Sequence, residues 1–349
     1  MGRRYLGKWL GMAFVALVLE ACAADPAARA GNAAWSPAQQ QSALSEANLL
    51  PVPEAFENSY FDWIDNERRR EVQAKLYMPR SASPENPVPL IVFSHGLGGS
   101  REGYSYLGAS WAAQGYASLH LQHAGSDRRL WQGNPFDLVA RLQGAASEAE
   151  AIDRVRDLRF AIDQILAAPG VGSRLNARRI IAAGHSYGAN TVLLASGAVF
   201  ERSQGQMSYP ETRLVGALVI SAPRFHGEAD AGAILRPIGI PSLHITSTGD
   251  EIRLPGYQST YHDRVQMFSA TGSPRKALVV FRDGAHSMFT DRLAPGGYDL
   301  NVQVKAATRD LSLAFFDEVL GEKSGAFEQG LTRHKDLIAY RESKLDPRP

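Results

Sequence analysis

The chain has 349 residues, 44% of them hydrophobic and 21% charged, which is enough apolar content to bury a large core and unlike the composition of a disordered chain. Lys and Arg number 37 against 36 Asp and Glu, so the formal net charge is only +1. No long-range field then favours a nucleic acid or a strongly acidic polymer, and a nucleic-acid partner is not expected.

Residues 1–22 read as a signal peptide. Arg3, Arg4 and Lys8 precede an apolar run from Leu10 to Leu19 that is too short to span a bilayer. The run closes on Leu19-Glu20-Ala21-Cys22, which resembles a bacterial lipobox, and Cys22 is the only cysteine of the sequence. An intrachain disulfide is thereby excluded, and Cys22 becomes the candidate lipidation residue. Ala21-Cys22-Ala23 also fits a cleavage site that would discard the cysteine. The expectation is an exported protein, either a cell-envelope lipoprotein held at the membrane through Cys22 or one released outside the cell. Residues 23–55 mix Ala, Gln, Ser and Pro without a clear period and read as a tether, which leaves 56–349 as one catalytic domain.

From Tyr60 to Met78 the pattern predicts a pair of strands, with the charged run Asn66 to Arg70 as a solvated turn. Val88 to Phe93 is a buried strand that stops at Ser94-His95-Gly96-Leu97-Gly98-Gly99. A helix over Tyr104–Ala113 and a strand over Tyr116–Leu121 follow. Residues 122–147 look like an insertion, with Trp131, Phe136, Leu138 and Leu142 available either to cap a site or to pack as plain helix. Within it, His123, Asp127 and Arg128 are placed to line a pocket or to serve structure. Ser147 to Leu166 is the clearest helix, opened by a Ser147/Glu150 capping box. Strands are expected at Arg179–Ala183, Leu214–Ser221, Pro241–Thr246 and Ala277–Phe281, with helices over Ala189–Ala198 and Val302–Leu320. Alternation of this kind implies a mostly parallel central sheet with helices on both faces, whose reactive residues sit at the carboxyl ends of strands.

Gly184-His185-Ser186-Tyr187-Gly188 matches the G-x-S-x-G elbow in the required setting between a strand and a helix, which makes Ser186 the candidate nucleophile. A hydroxyl needs a base to take its proton. Of nine histidines, His286 stands in the loop between a strand and the last helix, while His262 and His334 fall in helix-like segments and His226 and His244 are less well placed. The imidazole needs a carboxylate in turn. Asp250 closes the turn after the strand Pro241–Thr246, with Glu251 and Asp283 as alternatives. The anion formed in acyl transfer needs backbone N–H donors, and Leu97 and Tyr187 are the candidates for that oxyanion hole.

With these residues the chain resembles the α/β-hydrolase superfamily, and within it the branch of platelet-activating-factor acetylhydrolases and dienelactone-hydrolase-like esterases. The likeness runs from about Pro89 to Leu320 and is carried by VFSHGLGGSREGYSYLGASWAAQGY and GHSYGA. It implies the α/β-hydrolase fold and cleavage of short or oxidised acyl esters, a small-molecule or lipid substrate, without metal or organic cofactor. It also implies that Leu97 and Tyr187 form the oxyanion hole. The chain departs from the animal acetylhydrolases at Ile220-Ser221-Ala222-Pro223-Arg224, where their acid stands and this sequence has no carboxylate. It departs from dienelactone hydrolases in having a serine, Ser186, where they use cysteine. The same machinery would serve an amidase or a polymer-ester hydrolase, and a surface-anchored binding protein with this fold is the non-enzymatic alternative.

Overall fold

The computed structural model describes residue 49 and residues 53–345, apart from 204, 226, 228, 229, 255 and 256. The expected signal peptide, Cys22 and most of the tether therefore lie outside the described residues, as does His226.

The chain opens with β1 (Phe56–Asp65) and β2 (Arg70–Pro79), followed by β3 (Val88–Ser94), α1 (Ser105–Ala113) and β4 (Ala117–His123). Then come α2 (Leu138–Ala145), α3 (Glu148–Ala167), β5 (Leu175–His185), α4 (Tyr187–Ala195) and the hairpin β6 (Val199–Arg202) and β7 (Gly205–Ser208). The order continues with β8 (Leu214–Ile220), α5 (Ala231–Leu235), β9 (Ser242–Ser247), the hairpin β10 (Ile252–Leu254) and β11 (Tyr257–Ser259), and α6 (Tyr261–Ala270). It ends with β12 (Lys276–Phe281), α7 (Tyr298–Leu320), α8 (Ala326–Arg333) and β13 (Ile338–Ser343).

Among the described residues nine strands form one sheet in the order β1-β2-β4-β3-β5-β8-β9-β12-β13. The six strands from β4 to β12 in this order are parallel. Antiparallel partners close both edges, β1 and β2 at one and β13 at the other. Successive side chains of a strand point to opposite faces, so a strand covered on both sides must be apolar at every position. Leu90 and Val92 accordingly enter one core with Ile180 and Ala182, packed by α3 and α4. Ile91 and Phe93 enter the other with Ile181 and Ala183, packed by α1 and α7.

Helix α3 shows how sequence sets the packing. The Ser147 side chain accepts the Glu150 N–H at 3.2 Å and caps the first turn. Val155, Leu158, Ile162 and Ile165 then recur on one face and are wholly buried. Each such side chain stabilises the fold by roughly 1.5–3 kcal/mol. The Glu150 carboxylate does not complete a capping box; it accepts from Arg70 at 3.0 Å and from Ser126 at 2.7 Å.

Two other expectations change. The charged run before β2 is a turn, yet it is not solvated throughout. Arg68 and Arg70 reach back to Asp157, at 2.9 Å each, and Arg68 also pairs with Asp153. Asp157 is fully buried, and a carboxylate there needs such partners to stay charged. The chain is also attached to the body upstream of Phe56, because Leu49 is buried and its carbonyl accepts from Ser110 Oγ at 3.2 Å.

Candidate active site

β5 passes into α4 through a single residue, Ser186, held at φ 56° and ψ −123°. A non-glycine residue at positive φ is strained and persists only where its surroundings dictate it. Here they do. A Cβ on Gly184 would stand 2.4 Å from the Gly188 carbonyl oxygen, and one on Gly188 would stand 1.9 Å from the Ser94 oxygen at the end of β3. The two glycines let helix, strand and neighbouring strand close on one another, and the Ser186 N–H donates to Ile220 O at 2.9 Å. Gly188→Ala is expected to cost about 3 kcal/mol or more, since the clash is with main chain that no rotamer change relieves. A thermal melt checks this, and a variant melting with the wild type would contradict the packing described.

Asp283 at φ 51° and Gly284 at φ 102° turn the chain sharply after β12 and deliver His286. Its Nε2 lies 2.8 Å from Ser186 Oγ and its Nδ1 lies 2.8 Å from Asp250 Oδ1. An ionised carboxylate only accepts, so Nδ1 carries the hydrogen and Nε2 is left with a lone pair facing the serine hydroxyl. Asp250 follows β9 and is 1% exposed. Its Oδ1 also accepts from Arg264 Nη2 at 3.2 Å, and its Oδ2 accepts from Thr246 Oγ1 at 2.7 Å and from Ser221 Oγ. Burial alone would raise its pKa; the Arg264 and His286 charges and the hydrogen bonds to the carboxylate hold it well below the usual carboxylate range. Of the alternative acids, Glu251 is turned to Arg253 and Gln258, and Asp283 is exposed.

The glycine turn after β3 lies against the serine, because a Cβ on Gly96 would come 3.3 Å from Ser186 Cβ. The N–H of Gly96 donates to Tyr104 Oη, that of Gly98 to Ser126 O, and that of Gly99 to Gly96 O. The N–H groups of Leu97 and Tyr187 have no protein acceptor among the described residues. Arg154, fully buried, steadies both arms. It donates to His95 O and to Ser126 Oγ at 2.7 Å, and its guanidinium stands 4.5 Å from the centre of the Tyr187 ring. The 122–147 segment leans on the same loop, with Trp131 Nε1 donating to Gly98 O at 3.0 Å.

None of the remaining sequence candidates bonds Ser186, His286 or Asp250 among the described residues. His123 bonds Ser94 and Asp157 in the interior. Asp127 caps the turn Arg128–Trp131, and Arg128 is exposed. His244 is packed against Phe268, and burial pushes its pKa down to about 3. His262 lies against Tyr261 within α6, and His334 bonds Asp310 just past α8. Sequence reasoning missed four residues: Arg154, which braces the loop beside the serine, and Thr246, Arg264 and Ser221, which bond Asp250. The last stands at the end of β8, one strand nearer the elbow than Asp250, with its hydroxyl also 2.8 Å from His286 Nδ1. Among the described residues no group of three His, Cys, Asp or Glu side chains is placed to hold a metal ion.

The family model described as platelet-activating factor acetylhydrolase, isoform II, matches residues 14–128. That segment is less than half of the chain and includes the glycine turn but not the serine elbow. No curated protein sequence matches. Among solved structures, a ferulic acid esterase from Streptomyces cinnamoneus is similar with a TM-score of 0.59 and 19% identity, over 83% of this chain and 98% of that one. At that identity the likeness speaks for the fold. The chain is thus an α/β-hydrolase-fold protein whose first third resembles the platelet-activating-factor acetylhydrolases.

Proposed function

We propose that this protein is a serine esterase that hydrolyses a carboxylic ester through an acyl-enzyme, with Ser186 as nucleophile, His286 as base and Asp250 as the acid that orients it. One observation carries the reading: Ser186 Oγ, the His286 ring and the Asp250 carboxylate stand in a single row with both links at 2.8 Å. As Oγ attacks the ester carbonyl, its proton passes to Nε2, and Asp250 stabilises the imidazolium. The carbonyl oxygen becomes an anion, which the Leu97 and Tyr187 amides receive. Collapse expels the alcohol with the proton from Nε2; a water activated by the same nitrogen then releases the acid and restores the serine. The steps balance with protein groups and water alone. The match of residues 14–128 to an acetylhydrolase family supports a short acyl group on a small molecule or lipid as the substrate class. Nitrophenyl esters of increasing acyl length, run beside the matching anilides, test this. The short esters are expected to be cleaved and the anilides not, and a chain that cleaves no ester would overturn the assignment.

The N-terminal sequence supports export with Cys22 as the site of lipid attachment in the cell envelope. The mass of the mature N-terminus is expected to correspond to an acylated Cys22. An unmodified alanine there would indicate release without an anchor.

A further inference from the structure

We infer that Tyr104 and His185 form a one-way hydrogen-bond relay that fixes the loop carrying the base to the loop carrying an oxyanion donor, which makes both of them positioning residues. The inference rests on the esterase reading above. Its geometry is a chain of three bonds. His185 Nε2 stands 3.0 Å from the main-chain oxygen of His286, His185 Nδ1 stands 2.9 Å from Tyr104 Oη, and the N–H of Gly96 donates to that same Oη at 3.3 Å.

The two ends of this chain admit one polarity. A peptide oxygen only accepts, so Nε2 of His185 must carry a hydrogen and donate it to His286 O. A peptide N–H only donates, so Tyr104 Oη must accept from Gly96 and spend its own hydrogen elsewhere. The remaining link then runs from the Tyr104 hydroxyl into Nδ1 of His185, whose lone pair is free because the ring is neutral. Burial pushes the His185 pKa down to about 3, in keeping with a neutral ring. Neutrality also suits the neighbour: the rings of His185 and His286 lie 4.8 Å apart, and a charged His185 would oppose the imidazolium that forms on His286 in each turnover.

The relay meets the reacting centre at Gly96. A Cβ there would lie 3.3 Å from Ser186 Cβ, 3.3 Å from Tyr104 Oη and 3.4 Å from His185 Nδ1. The amide next in sequence is that of Leu97, which is left without a protein acceptor among the described residues. The Leu97 N–H belongs to the peptide of Gly96 O, which is held by the Gly99 N–H at 3.0 Å and by His95 Nδ1 at 2.7 Å, and the Tyr104 bond fixes the adjoining peptide at its Gly96 N–H, so the relay anchors the upstream side of the donor. Tyr104 is itself strained, at φ 60°, and the residue is 4% exposed with its ring centre 4.6 Å from that of Phe93, so its hydroxyl has little freedom.

Tyr104→Phe keeps the ring and removes only the link. The expected result is a drop in kcat of about 10-fold to 100-fold with KM within about twofold, since misplacing an oxyanion donor acts on the transition state and not on ground-state binding. A trifluoromethyl ketone, which forms the tetrahedral oxyanion, should lose affinity by the same factor, whereas a ground-state ester analogue should not. A folded Tyr104→Phe with wild-type kcat and ketone affinity would overturn the relay. A second measurement stands apart from turnover: the nitrogen shifts of the His185 ring in the wild-type protein should show a neutral ring protonated at Nε2. Protonation at Nδ1 would overturn the relay whatever the variant does, and it decides the matter if Tyr104→Phe does not fold. Wild-type protein that cleaves no ester yet has the Nε2–H ring would sink the esterase reading and leave the hydrogen-bond chain standing.

Discussion

Ser186→Ala is expected to abolish labelling by a fluorophosphonate probe and to lower ester hydrolysis by about a million-fold, to the residual rate that binding and the oxyanion donors sustain alone. The size follows from the role. In the proposed mechanism there is no acyl-enzyme without Oγ, and His286 Nε2 is left with no hydroxyl at 2.8 Å to deprotonate. The fold should survive. Ser186 already carries a Cβ at φ 56°, alanine adds no atom to the elbow, and the main-chain bond from its N–H to Ile220 is untouched. The melting temperature is therefore expected to stay within a few degrees or to rise slightly, as commonly happens when a strained reactive group is removed. Gel fluorescence of the labelled protein and initial rates on a short ester measure both outcomes. Wild-type protein that the probe does not label, or an alanine variant that still labels, would remove Ser186 from the chemistry.

The elbow was legible from sequence because its constraints are local. The glycines at 184 and 188 are demanded by contacts with each other and with the end of one adjacent strand, and the pattern carries that demand in five residues. The parallel sheet was legible for a similar reason, since strands buried on both faces are continuously apolar. The sequence favours Asp250 as the acid but does not exclude Glu251 or Asp283, because all three occur within turns of similar composition. What separates them is tertiary: the end of β8, the strand β9 and the helix α6 bring Ser221, Thr246 and Arg264 around one carboxylate and leave the other two facing solvent or surface partners. Ser221 marked only a missing carboxylate in the sequence, yet in the fold it supplies a hydroxyl to both Asp250 and His286. The burial of Arg68 and Arg70 is not legible in the turn because Asp153 and Asp157, which draw them inward, lie more than eighty positions away. The edge strand β13 escaped notice because its burial pattern leaves most positions exposed, so it offers no apolar run to detect.

Asp250→Asn is the other large effect, expected to cut turnover by about 10,000-fold. An amide has one accepting atom where the carboxylate has two, and four donors converge on Asp250. If the NH2 group took the Oδ1 position it would oppose the hydrogens of His286 Nδ1 and Arg264 Nη2. The favoured rotamer therefore keeps oxygen there and turns NH2 toward Ser221 and Thr246, whose hydroxyls can rotate to accept. In the proposed mechanism His286 then retains a hydrogen bond but loses the negative charge that would stabilise its imidazolium, so the loss falls on kcat. Arg264, 2% exposed, loses its buried counter-charge, which should destabilise the fold by about 3–5 kcal/mol. The pH dependence supplies a further sign. Because the folded protein holds the Asp250 pKa below its unfolded value near 4, the wild type gains stability from this group above that pH and loses it as the pH falls through the lowered value. The asparagine variant lacks this titration, so the gap in melting temperature between wild type and variant should narrow as the solution is acidified. A variant with near-normal turnover at neutral pH would move the acid role to Glu251 or Asp283, and a gap that stays constant with acidification would mean that folding leaves the Asp250 pKa unshifted.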